Sequence, residues 1–433
     1  MAKPLKSKLT GDAAYQKTVL PNGLRVVTST MPHTRSVSVC FFIGAGSRYE
    51  RDAEAGISHF LEHGCFKGTT QRPAAQMISE AIEGVGGYMN ASTDREMTVY
   101  WCKVARPHFG LALELLEDML CHSLFEPKEM EKERKVILEE LSMSYDHPEQ
   151  RVDLLIDEVV WPKQAMGRDV GGTKESVSGI TPKMMRVYQA QEYVPQNIVL
   201  TVAGNIGHQE VIDAVQRLDP PWSLGTPRPL TPAKDGQRAP RHQVERRKSE
   251  QVHLAIALRG LAVTHPDRFA LDMLNVVFGE GMSSRLFVEL REKRGLAYDV
   301  MSRPSHYLDT GVLTVNAGVD PKNAYAAIDA IMEQLALLRE PVSEAELQKA
   351  KELTKGRLLL RMEDTRSVAG WLGGQELLLG RIDTVDEVVE QVERITVEDL
   401  QRVGKALVHK NKLNVVLLGP VRDGKALEAH LKL

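Results

Sequence analysis

The chain reads as an α+β protein built from two homologous domains, each an antiparallel-rich sheet flanked by helices. Three observations point there. Strand-like runs arrive in adjacent groups instead of alternating strictly with helices, which favours layered α+β over a doubly wound parallel sheet. Stretches with 3.6-residue periodicity accompany them. The same landmarks also occur twice along 433 residues, a length that itself calls for more than one domain.

The elements follow in order. Residues 1–15 begin MAKPLKSKLTG, with lysines but no apolar segment and no arginine, so they read as a flexible polar tail and not as a secretory or mitochondrial leader. The first domain spans 16–218. Leu24–Ser29 and Ser36–Ile43 are strands by their period-two or β-branched content, Gly87–Thr93 is a further strand, and Phe109–Leu120 is a helix. Residues 219–240 hold a proline-rich run from Asp219 that reads as an extended linker. The second domain, 241–433, includes a helix over Asn323–Leu338.

The duplication rests on four pairs. Phe66 recurs as Phe278, 212 residues on; Glu126-Pro127 recurs as Glu340-Pro341, 214 on. Ile180-Thr181 opens a helix and recurs as Ile395-Thr396; Val202-Ala203-Gly204 ends a strand and recurs as Leu417-Leu418-Gly419, both 215 on.

Composition narrows the function. With 42% hydrophobic and 26% charged residues and a net charge of −3, the chain is an ordinary globular protein without a nucleic-acid footprint. No apolar run approaches the ~18 residues of a membrane span. Cys40, Cys65, Cys102 and Cys121 form no CxxC pair and suit a reducing cytoplasm.

The stretch that carries chemistry is His59-Phe-Leu-Glu-His63. At about 100° per residue, a helix over 54–64 gathers Ile57, Phe60, Leu61 and Gly64 on one face and His59, Glu62 and His63 on the other. Two histidines four apart with an adjacent carboxylate suit zinc and a base for its water, which makes a peptide-bond hydrolase the leading reading. A catalytic zinc needs a third protein ligand. Glu133 and Glu140 share a face of the acidic run from Glu131, with Glu139 about 100° away. Glu140 is the candidate ligand and Glu133 the carboxylate that orients a histidine. By pattern alone, that run reads as a solvated surface helix.

His59 through Thr69, with Glu133-Arg-Lys-Val-Ile-Leu-Glu-Glu140, resembles the pitrilysin/insulysin family of inverted-motif zinc peptidases, and the chain's length is closest to its mitochondrial-processing-peptidase-like subfamily. Gly44-Ala-Gly-Ser-Arg48 resembles the family's strand end before the zinc helix. The resemblance implies one zinc ion per chain held by His59, His63 and Glu140, with Glu62 as base. It also implies that Arg291 and Tyr298, seven apart, contact substrate backbone and the developing oxyanion, and that Asn90 and Ala91 lie on an edge strand that accepts a peptide. The family's large members close a chamber with four such repeats in one chain, so two repeats imply a homodimer, or a heterodimer with a related subunit. Rival readings are the active subunit of a heterodimeric processing peptidase, a non-catalytic structural core subunit and a metal hydrolase with a non-peptide substrate.

At the first offset His59, Glu62 and His63 fall opposite Leu271, Leu274 and Asn275, so the second domain keeps the pattern without the ligands. Gly84-Val-Gly-Gly and Gly279-Glu-Gly lack the lysine of a phosphate cradle. Ser283-Ser284 lacks a nucleophile-elbow setting. Gly373-Gly374, in a helical context, marks a break or a close packing.

Overall fold

The computed structural model describes residues 15–218, 222, 224–421 and 424–433. The tail, apart from Tyr15, and linker positions 219–221 and 223 lie outside the described residues.

The first domain holds strands β1 (Gln16–Val19), β2 (Arg25–Thr30), β3 (Ser36–Ile43), β4 (Tyr88–Thr93), β5 (Thr98–Ala105) and β6 (Ile198–Gly204). Its helices are α1 (Ile57–Gly64), α2 (Ala75–Glu83), α3 (Phe109–Cys121), α4 (Pro127–Asp146), α5 (Pro148–Val160), α6 (Lys174–Gly179), α7 (Pro182–Glu192) and α8 (His208–Leu218). The second holds β7 (Arg241–Arg246), β8 (Val252–Arg259), β9 (Ala297–His306), β10 (Gly311–Val319) and β11 (Leu413–Gly419). Its helices are α9 (Arg268–Gly279), α10 (Arg285–Phe287), α11 (Ala324–Leu337), α12 (Glu344–Arg361), α13 (Thr365–Leu379), α14 (Val385–Arg394), α15 (Val397–Leu407) and α16 (Gly424–Glu428).

The sheets run β1-β2-β6-β3-β5-β4 and β7-β11-β8-β10-β9. With β1 set aside, β2 to β6 map onto β7 to β11 in the same spatial order. Each sheet has one parallel pair, β2 with β6 and β7 with β11, and is otherwise antiparallel. Thr181 and Thr396 cap the equivalent helices α7 and α15 through their side-chain oxygens. The sheets end at β1 and β4 and at β7 and β9, and of these edge strands β4 and β9 are equivalents.

The central strands are buried on both faces, and alternation sorts their side chains between two cores. Val37, Val39, Phe41 and Ile43 of β3 face the helices of their own domain, in one cluster with Phe60, Leu61 and Leu116. Cys40 and Phe42 face the other way, against Val368, Ala369 and Leu372 of α13, a helix from the second half of the chain. The exchange is reciprocal. Val152, Leu155, Ile156, Val159 and Val160 of α5, from the first half, cover Ala255, Ala257, Val416 and Leu418 of the second sheet. Each Val, Leu, Ile or Phe among them contributes roughly 1.5–3 kcal/mol by burial, so the swapped pair is a large part of what joins the domains. Gly373 makes the close approach possible: a Cβ there would lie 2.1 Å from the Phe42 ring. Helix α13 continues through it, so the glycine pair marks close packing and not a break.

A polar knot fastens the same junction. Arg48, with a fully buried side chain, pairs with Glu96 at 2.5 Å, with Asp309 across the domain boundary, and donates to the Thr231 carbonyl of the linker at 2.9 Å. Glu96 also accepts from Leu308 N at 3.0 Å. The linker residues 224–240 are without regular structure and are held at several points, with Ala233 N donating to Asp309 and Lys234 N to Gln164. All four cysteines are free. Among the described residues no helix is long and apolar enough to cross a membrane.

Candidate metal centre and active site

Helix α1 begins at Ile57, three residues later than the sequence pattern places it, because Asp52–Glu54 forms a separate 3-10 turn and Gly56 takes a left-handed φ of 89°. That glycine backs onto another: a Cβ at Gly56 would lie 2.4 Å from Gly171 O, and one at Gly172 would lie 2.3 Å from Ala55 O. The helix start is fixed from below by Glu50, a buried carboxylate that accepts from Gly56 N and Ser58 N, each at 2.8 Å. It occupies the place where the helix exposes unpaired N–H groups and partial positive charge. Ile57, Phe60, Leu61 and Gly64 are buried in the domain core, and His59, Glu62 and His63 lie on the opposite side.

His59 Nε2 and His63 Nε2 are 3.2 Å apart. Glu140 of α4 brings Oε2 to 3.7 Å from His63 Nε2 and 4.0 Å from His59 Nε2. Among the described residues these three form the one group of histidine, cysteine or carboxylate ligands close enough to share a metal ion. A tetrahedral zinc with bonds near 2.0–2.1 Å sets its ligand atoms about 3.3 Å apart. The two nitrogens already match, and the carboxylate needs to approach by a few tenths of an ångström. The donor set therefore fits zinc.

The electrostatics suit the same role. Burial, assisted by His63, pushes His59 down to about 4, so its ring is neutral as a metal ligand must be. Its Nδ1 is buried and, among the described residues, without a hydrogen-bond partner. His63 is held upward from its ordinary value: burial opposes this, but the 2.8 Å hydrogen bond from Nδ1 to Glu133 and the nearby Glu140 and Glu62 outweigh it. Glu133 is itself paired with Lys67 at 2.6 Å and lies below the usual carboxylate range, since His63 and Lys67 together overcome its burial. Burial raises Glu62, partly offset by the 2.5 Å hydrogen bond from Thr93 Oγ1 on edge strand β4. His59, Thr93 and Glu140 line a cavity of about 400 Å³. It adjoins a cleft of about 1050 Å³, with Leu141 and Asp169 lining both.

Comparisons with known proteins give the family. The model for "Insulinase (Peptidase family M16)" matches residues 25–174, and that for "Peptidase M16 inactive domain" matches residues 179–354. An uncharacterized zinc protease of Streptomyces coelicolor is 35% identical over 428 residues, covering 97% of this chain and 93% of its own length. The chain belongs to peptidase family M16. Another relative, an uncharacterized zinc protease of Bacillus subtilis, is 36% identical over 391 residues, 89% of this chain and 94% of its own. The crystal structure of a protease from Helicobacter pylori superposes with a TM-score of 0.87 at 25% identity, covering 94% of this chain and 99% of that one.

His59, Glu62, His63, Glu133 and Glu140 all fall within the stretch matched to the insulinase model, and Arg291 and Tyr298 within the M16 inactive domain. The structure brings Arg291 and Tyr298 to each other. Arg291 lies on a π-helical turn, Val288–Lys293, that continues α10; its guanidinium sits 4.5 Å from the Tyr298 ring centre and Nη1 donates to Tyr298 O at 3.1 Å. Tyr298, 76% exposed on β9, lines a cavity of about 300 Å³ that shares no lining residue with the His59 cavity. The first turn of α5 contributes to both, Gln150 to one and Glu149 to the other. Asn90 and Ala91 lie in the middle of β4, beside the exposed Tyr88. In the second domain Leu271, Leu274 and Asn275 are buried, and Asn275 accepts from Ser302 Oγ at 2.6 Å, where the first domain has His63.

Sequence reasoning missed Glu50, Lys67 and Thr93. The one local signal for Glu50 is Gly56, which announces a helix start in need of a cap. Nothing near Thr93 announces its bond to Glu62.

Proposed function

We propose that this chain is a zinc metalloendopeptidase that hydrolyses peptides or unfolded protein segments, with His59, His63 and Glu140 as ligands and Glu62 as base. The observation that carries the reading is the convergence of those three ligand atoms beside a buried carboxylate, next to an exposed edge strand. A zinc ion held by His59, His63 and Glu140 would supply Lewis-acid chemistry, towards a substrate carbonyl and towards water. Glu62, raised by burial, takes the water's proton and returns it to the leaving amine. Glu133 fixes the orientation of the His63 ring by accepting from Nδ1. The free side of β4 at Asn90 and Ala91 takes an extended peptide as an added strand, a mode that reads backbone and suits varied sequences.

Arg291 and Tyr298 act on substrate backbone and on the developing oxyanion. Their separate cavity supports a two-copy arrangement in which one subunit's pair serves the partner's zinc. A homodimer is the favoured assembly, since both sets of residues are in one chain. The four free cysteines support a cytoplasmic setting.

The test is a zinc count with peptide cleavage by wild type and Glu62→Gln. Retained zinc with cleavage lost supports the mechanism; equal turnover by both proteins overturns Glu62 as base. Sedimentation of the pure chain checks the assembly, and a fully active monomer rejects the dimer.

A further inference from the structure

Of the three ligands, His63 is held by the hydrogen bond from its Nδ1 to Glu133; Glu140 has no such support. Its side chain is 44% exposed and, among the described residues, no hydrogen bond fixes its carboxylate. Its position is therefore set by helix α4 alone. The front of α4 is anchored in the first domain: Met130 and Ile137 enter its core, and Arg134 donates to Ile180 O at 2.7 Å.

The last turn has an anchor in the other domain. A helix C-terminus leaves carbonyls unpaired and carries partial negative charge, so a cation there satisfies both. The cation is Arg247, from the second domain. Its Nη1 donates to Tyr145 O at 2.6 Å and to Asp146 O at 3.1 Å. Arg247 follows β7 directly, its own N–H donates to Gly419 O at the end of β11, and Nη2 bonds Glu245 at 3.1 Å. Glu245 also accepts from Arg151, 3.0 Å away, whose guanidinium lies 3.8 Å from the Tyr145 ring centre. Leu138 and Leu141, on either side of Glu140, also pack against the first-domain core, so the helix that carries Glu140 is held by its own domain as far as Leu141 and by the other domain at its last turn.

We infer that Arg247 is a positioning residue for Glu140, so that the domain without ligands sets the geometry of the metal site in the domain that has them. This rests on reading His59, His63 and Glu140 as that site. The second domain's role is then more than coverage: displacement of β7 against the first domain moves the third ligand while leaving His59 and His63 in place.

The full chain provides a matched control. Arg241 caps α5 in the same way, donating to Val159 O and Val160 O at 3.2 Å, without touching α4. Zinc affinity is read by competition with a chelating dye, and ligand geometry by the visible spectrum of the cobalt-substituted protein. Arg247→Ala is expected to bind zinc about tenfold more weakly with an altered cobalt spectrum, and Arg247→Lys to recover part of the loss. Arg241→Ala is expected to lower the melting temperature while zinc affinity and the cobalt spectrum stay as in wild type. Wild-type affinity and spectrum in the Arg247 variants, or equal weakening by Arg241→Ala, overturn the inference. If Arg247→Ala does not fold, the lysine variant decides alone by the same readouts. A wild type that binds no zinc at this cluster instead overturns the metal reading together with this inference.

Discussion

Thr93 Oγ1, on the edge strand, donates to Glu62 Oε2 at 2.5 Å, so the strand proposed to receive substrate also holds the proposed base. This bond favours the ionised carboxylate, against a burial that favours the neutral one. Thr93→Val should therefore raise Glu62 further and move the acid limb of the kcat/KM profile to higher pH, with an activity loss of about tenfold at neutral pH. A pH–rate profile that superposes on wild type removes Thr93 from the mechanism.

The Lys67–Glu133–His63 chain is the other route to the site. Glu133→Gln keeps the shape but weakens the charge that sets the ring of His63. Zinc affinity should fall roughly 10–100-fold, measured by chelator competition, with little change in melting temperature of the metal-free protein. An unchanged affinity makes Glu133 a structural carboxylate only.

What the sequence reveals depends on how local the determinant is. Strand β3 and helices α3 and α11 follow from periodicity within one residue at their ends, because their burial pattern is written in consecutive side chains. His59 and His63 share a face because spacing alone dictates it. Glu140 lies 77 residues beyond His63, and its place beside them came from resemblance to a family. The exchange of α5 and α13 has no local signature: Val152, Leu155, Ile156 and Val159 make an apolar stripe whichever sheet they cover. Arg48 and Arg247 are invisible for the same reason, since an arginine that ties domains together reads like any other.

Glu346 offers a test of the scaffold beneath Arg291. It closes the capping box of α12 with Ser343 and holds Arg285, at the start of the segment leading to Arg291, through bonds of 2.7 and 2.9 Å. Arg285 first, then Ser343, hold its carboxyl at about 2. A carboxylate depressed in the folded state stabilises above its unfolded value and loses that contribution as pH falls through the folded one. Glu346→Gln should thus cost roughly 0.5–1 kcal/mol at neutral pH after solvent screening, and the difference from wild type should shrink between about pH 4.5 and about pH 2. A difference that is constant over that window means the pair contributes nothing through its charge.

The Arg48 knot makes the strongest stability prediction, because the Arg48–Glu96 pair at its centre is almost wholly shut off from water. Arg48→Met leaves Glu96, 4% exposed, with the Leu308 N–H but no counter-ion. Removing one partner of a buried pair typically costs about 3–5 kcal/mol, whereas replacing both by apolar groups is often neutral. The single variant should melt on the order of 10 °C lower by calorimetry. Arg48→Met combined with Glu96→Met should regain much of the loss, since the orphaned charge is gone. Asp309 still loses its partner in both variants, but it is one-third exposed and water can serve it. If the double variant melts below the single one, the penalty comes from the lost bond to the Thr231 carbonyl and the packing around it, and the stranded charge of Glu96 is not its source.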